Sequence, residues 1–129
     1  MSEVKPRILI VDDEPDLLTV LTFGLEAEGF AVLQATDGEQ GLALARQALP
    51  DLIVLDLMLP RMDGLTLCNK LRDAGNNTPV LMLTALDSRD DMLKGFQHGA
   101  DDYLTKPFDL DILEARMTAL IKQIGRAHV

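Results

Sequence analysis

A chain of 129 residues, 47% of them hydrophobic, is long enough for one domain with one core, burying roughly two thirds of the surface that its unfolded form exposes. Its 21 acidic residues against 12 basic ones leave a net charge of −9, which argues against direct binding of nucleic acid, since phosphate contacts need a basic footprint. No apolar run approaches the roughly 20 residues that cross a bilayer, Met1-Ser2-Glu3-Val4-Lys5-Pro6 lacks the apolar segment of a secretory signal, and the lone Cys68 has no partner for an internal disulfide. A cytoplasmic protein without membrane association is therefore expected.

In chain order, the aliphatic run from Arg7 to Val11 predicts a buried strand ending at Asp12-Asp13. Glu14-Pro15-Asp16 suits a first helical turn, Leu17, Leu18, Leu21 and Leu25 follow at helical spacing, and Gly29 closes the helix. Gly24 inside it costs about 1 kcal/mol relative to Ala, which close packing would justify. Phe30 to Ala35 reads as a second strand, and Thr36-Asp37 supplies cap candidates for a helix through Leu49, stopped by Pro50. Leu52 to Asp56 is the third strand. The segment Met58 to Gly64, with its Pro and Asp-Gly, reads as a tight reversal before a helix over about Leu65–Asp73.

After the loop Gly75 to Pro79, Val80 to Leu83 is a fourth buried strand that ends at Thr84. Ser88 with Asp91 three residues on resembles a helix cap, and that helix runs through Met92, Leu93 and Phe96 to Gly99. Asp102 to Thr105 is a short fifth strand, closed by Lys106-Pro107. Asp109 can cap a last helix whose stripe is Leu110, Leu113, Met117, Leu120, Ile121 and Ile124. Strands alternating with helices, and strands apolar at successive positions, predict a doubly wound α/β domain whose parallel sheet is covered on both faces. A single domain over residues 1–129, with its core at about 7–123, is expected.

A parallel sheet collects the carboxyl ends of its strands on one edge, where open α/β sheets bind ligands. Asp12, Asp13, Asp56, Thr84 and Lys106 all fall there. Asp56 stands out, because a lone charge in the otherwise apolar stretch Leu52 to Pro60 is costly to bury unless it is paired, bound to a metal or used. Three carboxylates repel one another, and a hard divalent cation such as Mg²⁺ relieves that with oxygen ligands, while Lys106 offers a mobile charge for phosphate oxygens. That set suits phosphoryl transfer to a carboxylate, with Asp56 as the best acceptor. Each residue alone also has a plain structural reading: Asp12 and Asp13 as helix caps, Asp56 and Thr84 as strand ends, Lys106 as a solvated charge.

The combination of Ile8-Leu9-Ile10-Val11-Asp12-Asp13-Glu14, Asp51 to Asp56, Met58-Leu59-Pro60-Arg61-Met62-Asp63-Gly64 and Lys106-Pro107-Phe108 resembles the receiver domain of bacterial two-component response regulators over about Arg7 to Gln123. The resemblance implies a flavodoxin-like five-stranded sheet of order 2-1-3-4-5, with two helices on one face and three on the other. It implies that Asp56 accepts a phosphoryl group from a histidine kinase. Mg²⁺ would be held by Asp13, Asp56 and the Met58 backbone carbonyl, with Asp12 reaching it through water. Lys106 would contact the phosphoryl oxygens across a cis Lys106-Pro107 bond. Thr84 and Tyr103 match the family's switch pair: the Thr84 hydroxyl turns toward the phosphoryl group and Tyr103 moves inward.

Gly99 to Phe108 and Glu114-Ala115-Arg116 resemble the OmpR/PhoB type, in which the fourth helix, fifth strand and fifth helix form a homodimer face on phosphorylation. Asp102 with Arg116 matches a cross-dimer ion pair of that type. Met92 and Ile112 stand where a basic residue and a Glu usually face each other, so either a hydrophobic pair substitutes for the ion pair or the dimer is weaker or different. The tail from Ile124 to Val129 is expected to hold no output domain, so that either a DNA-binding domain has been removed or the protein acts alone by contact, and its His128 is not expected to bind a ligand. Three alternatives compete: a haloacid dehalogenase-type aspartyl-phosphate phosphatase, for which Asp12-Asp13-Glu14 is the wrong motif; a flavodoxin-like cofactor binder, for which no glycine-rich phosphate loop follows the first strand; and a receiver-like scaffold independent of phosphate.

Overall fold

The computed structural model describes residues 4–127, and the side chains of residues 4–122; Ile124 of the expected stripe and His128 fall outside the described side chains. Five strands alternate with five helices: β1 (Arg7–Val11), α1 (Pro15–Ala27), β2 (Ala31–Ala35), α2 (Gly38–Ala48), β3 (Leu52–Leu55), α3 (Gly64–Asp73), β4 (Val80–Thr84), α4 (Arg89–Gln97), β5 (Asp102–Thr105) and α5 (Leu110–Ala127). The strands are all parallel in the order β2-β1-β3-β4-β5, as the resemblance implies.

The apolar strand runs work because successive side chains leave a strand on opposite faces. Ile8, Ile10, Leu52, Val54, Leu81 and Leu83 pack under α1 and α5 through Leu18, Leu21, Leu25, Leu113 and Met117. Leu9, Val11, Ile53, Leu55, Val80 and Met82 pack on the other face, under Leu42 and Ala45 of α2, Leu67, Cys68 and Leu71 of α3 and, at its margin, Met92 of α4. Two helices therefore cover one face and three the other. The reason for Gly24 is visible at the α1–α5 contact: a Cβ there would lie 2.7 Å from a Leu110 methyl.

The caps fall where the short polar residues predict them. Asp37, Asp63 and Ser88 each accept, through a side-chain oxygen, the backbone N–H three residues on, at 2.8, 2.8 and 3.0 Å, and Asp109 Oδ1 accepts from Asp111 N–H at 2.8 Å. At the end of α1, Gly29 (φ 95°) sends its N–H to Glu26 O, and Phe30 N–H bonds Leu25 O, which is the Schellman closure. Phe30 thus completes the helix end, and β2 starts one residue later than the apolar pattern suggests. The end of α2 breaks the rule, since Leu49 rather than a glycine takes the left-handed conformation (φ 48°) before Pro50.

Between β3 and α3 the chain crosses the carboxyl edge and lies against the start of α2. Gly38 N–H bonds Pro60 O at 3.3 Å, and a Cβ on Gly38 would lie 2.0 Å from Met62 O. This contact admits only hydrogen at that position.

Candidate functional site

Register sets the site. Val11 pairs with both Ala35 and Leu55, and one step further Asp12 N–H bonds Ala35 O while Asp56 N–H bonds Val11 O, each at 3.0 Å. β3 ends at Leu55, so Asp56 is the first residue past the strand. That frees its side chain to turn over the edge, where Oδ1 accepts from Met58 N–H at 3.1 Å. On the far side of β3, Lys106 N–H bonds Thr84 O at 2.8 Å, and the Lys106-Pro107 bond is cis.

Asp12, Asp13 and Asp56 each place a carboxylate oxygen within 4.8 Å of the others; Asp12 and Asp56 are buried and Asp13 is exposed. Oxygen-only donors around a crowded negative centre, open to water on one side, fit a hard divalent ion that keeps part of its hydration shell. The Lys106 ammonium sits on the same group, 3.0 Å from Asp12 Oδ2, 3.0 Å from Asp56 Oδ2 and 2.9 Å from Glu14 Oε1. Burial favours the neutral amine, but the hydrogen bonds that Lys106 donates to Glu14, Asp12 and Asp56 outweigh it and hold its pKa above its ordinary value. Lys106 is therefore a permanent cation. Burial pushes the Asp12 carboxyl above the usual carboxylate range, only partly offset by its bond from Glu14 N–H and by Lys106.

Thr84 is fully buried at the end of β4, and its Oγ1 accepts from Leu86 N–H at 3.4 Å. Tyr103 lies beneath, 4% exposed, with its hydroxyl donating to Leu86 O at 2.6 Å and its ring 6.3 Å from that of Phe96. Burial, reinforced by Asp91, Asp56 and Asp87, pushes the phenol up to about 12. The ring already occupies the enclosed position toward which the family's switch is expected to move it. Both members of the expected switch pair thus hold Leu86, one through its N–H and the other through its carbonyl.

Arg116 lies 3.0 Å from Asp102 Oδ1 within the same chain, so the two residues expected to pair across a dimer are here each other's partners. Met92 packs toward the core, whereas Ile112 on α5 is half exposed, as are Leu93 and Phe96 on α4. Two contributors escape a reading of the sequence. Glu14 has its only signature in lying next to Asp12-Asp13, and the Leu86 carbonyl, being backbone, has none.

A profile of the response regulator receiver domain matches residues 8–118. The chain belongs to that family. Among curated relatives, it is 52% identical over 123 residues to the DNA-binding dual master transcriptional regulator RpaA of Synechocystis, a match covering 94% of this chain and 51% of that protein. It is 46% identical over 117 residues to the alkaline phosphatase synthesis transcriptional regulatory protein PhoP of Bacillus subtilis, covering 91% and 49%. This receiver thus spans about half the length of the curated relatives it matches, which are regulators of the OmpR/PhoB type. Among solved structures, the Francisella response regulator 1452 receiver domain superposes with a TM-score of 0.90 at 38% identity, covering 93% of this chain and 99% of that one. The BeF₃-activated N-terminal receiver domain of Klebsiella pneumoniae RstA gives 0.84 at 32%, covering 89% and 97%.

Receiver domains of response regulators act in phosphorylation-activated signalling, and response regulators partner with histidine kinases; membership of this family displaces the phosphatase and cofactor-binding alternatives. Receivers of this family bind Mg²⁺ at an acidic pocket, which corresponds here to Asp12, Asp13 and Asp56. Among the described residues no helix is long and apolar enough to cross a membrane.

Proposed function

We propose that this receiver is a switch whose phosphoryl acceptor is Asp56. The observation that carries the reading is a buried carboxylate, 4% exposed, whose oxygens are held by Met58 N–H and by Lys106 in the middle of an acidic cluster. In the step proposed, an Asp56 carboxylate oxygen attacks the phosphorus of a kinase phosphohistidine. The new O–P bond forms as the P–N bond breaks, and the electron pair stays on the imidazole nitrogen, which then takes a proton. Asp13, Asp56 and the Met58 carbonyl would hold Mg²⁺, with Asp12 acting through water. When bound, the ion neutralises charge on the phosphoryl oxygens. Lys106, a cation at every working pH, balances the remaining charge from the β5 side.

The consequence passes through Thr84, whose hydroxyl turns from Leu86 N–H to a phosphoryl oxygen, while Tyr103 stays enclosed on the Leu86 carbonyl. Phosphorylation in this account shifts the balance between enclosed and outward Tyr103 and so biases α4, β5 and α5. A homodimer through that face would recruit Asp102 and Arg116 from their present pairing, with Met92 and the half-exposed Ile112 supplying apolar contact. The acidic charge balance supports a protein rather than a nucleic-acid partner for this domain.

The test is incubation with Mg²⁺ and acetyl phosphate, followed by intact-mass spectrometry. One phosphoryl adduct is expected on the wild-type chain and none on Asp56→Asn. A wild-type chain that stays unmodified would favour the phosphate-independent scaffold, and an adduct that persists in Asp56→Asn would move the acceptor elsewhere.

A further inference from the structure

An ammonium has three N–H donors, and all three of Lys106 are engaged, by Asp12, Glu14 and Asp56. A phosphoryl oxygen can be met by Lys106 only if one of those bonds is given up. The three acceptors are not equally replaceable. Asp12 is buried and is itself fixed by Glu14 N–H at 2.9 Å. Asp56 is buried and tied to Met58 N–H, and it is the group that carries the phosphoryl. The Glu14 side chain is 59% exposed and has no other hydrogen bond among the described residues, so water takes over its carboxylate at little cost.

We propose that Glu14 is a positioning residue that competes with the phosphoryl group for Lys106 and so opposes the phosphorylated state. The proposal rests on the acceptor reading of Asp56 and adds a regulator to it. Glu14 holds the Lys106 ammonium toward the start of α1 at rest. It is released when a phosphoryl oxygen arrives, and it returns as a second negative charge beside that oxygen. Replacing it by Gln removes the repulsion and weakens the competitor, since a neutral amide oxygen accepts from an ammonium less strongly than a carboxylate does. Asp16 is the natural control, because it is exposed on the same first turn and makes no contact with Lys106.

The experiment measures the dissociation constant of beryllofluoride at saturating Mg²⁺ for the wild type, Glu14→Gln and Asp16→Asn, with the Lys106 ammonium followed by ¹⁵N NMR before the probe is added. Glu14→Gln is expected to bind beryllofluoride about two- to fivefold more tightly, the range set by an exposed ion pair, and to show faster ammonium hydrogen exchange at Lys106; Asp16→Asn is expected to match the wild type in both. A merely structural role for Glu14 would move the urea midpoint and leave the dissociation constant alone. Unchanged or weaker binding by Glu14→Gln, or an equal gain in Asp16→Asn, overturns the competition while leaving Asp56 as acceptor. A wild-type chain that takes no beryllofluoride overturns both.

Discussion

The two edges of the sheet treat their central cation in opposite ways. At the amino edge, beneath β4 and β5, Arg72 uses all five guanidinium donors. Nε and Nη2 bond Gly99 O, Nη1 bonds Asn76 O and Thr78 O, and Nη2 also bonds Asp101 Oδ2, all between 2.8 and 3.1 Å. One carboxylate and three neutral carbonyl groups close this arrangement, and Asp101 spends the same oxygen on Val80 N–H. At the carboxyl edge Lys106 faces Asp12, Glu14 and Asp56, with Asp13 nearby, so negative charge is in surplus. A satisfied guanidinium locks loops together, whereas a crowd of carboxylates around one ammonium is a place prepared for a ligand. Stability and function have been assigned to different ends of the same strands.

If that division is right, breaking the amino edge should cost the most. Arg72→Ala leaves the three carbonyl groups without their donor and Asp101 with Val80 N–H alone, and a loss of about 2–4 kcal/mol in urea unfolding is expected, with Mg²⁺ affinity measured by calorimetry unchanged. A loss below about 1 kcal/mol would mean that water replaces the arginine and that the edges are less different than they look.

Tyr103 lies on β5 between the two edges and sharpens the contrast. It is the only tyrosine and there is no tryptophan, so phenolate absorbance reports this one side chain. Its midpoint is expected near 12 in the native protein, against 10 for the free side chain. The sign follows from linkage: a group whose folded pKa is raised contributes stability that is complete below pH 10 and is lost as pH rises through about 12. A native midpoint equal to that in urea would show the ring to be open to solvent.

The smallest effect belongs to the exposed member of the acidic cluster. Asp13→Asn relieves repulsion and is expected to raise stability by about 0.5 kcal/mol without Mg²⁺. The gain that the wild type receives from added Mg²⁺ should shrink in this variant. Urea midpoints measured with and without MgCl₂ check both halves, and a variant less stable than the wild type without the ion would deny that the carboxyl edge carries surplus charge.

How much of this was legible beforehand depended on whether a feature announces itself through a side chain in a local pattern. The alternation of apolar runs, the caps at Asp37, Asp63, Ser88 and Asp109, and the stops at Gly29 and Gly99 specify elements because each acts over three or four residues. The strand ends Asp12, Asp56, Thr84 and Lys106 could be gathered because a parallel sheet aligns carboxyl ends whatever its strand order. The grip of Arg72 on Gly99, Asn76 and Thr78 could not, since a carbonyl belongs to every residue and marks none. Glu14 and Lys106 are separated by 92 positions, and nothing in a helix's first turn says which of its acids will find a lysine. The enclosed position of Tyr103 is a choice between two packings of one sequence, which no pattern of residue types encodes.

The seam between Gly38 and Met62 bears on how this receiver can drift. Because a Cβ at position 38 would meet first the backbone carbonyl of Met62, with the Met62 Cβ next, no substitution at position 62 can make room for it. In a library randomised at every position, survivors at 38 should be glycine alone, while the exposed Arg61 next to Met62, whose backbone is left-handed (φ 70°), should accept glycine, asparagine and unbranched side chains but not β-branched ones. Sequence change in this domain is therefore channelled around a contact that contains no reactive group at all.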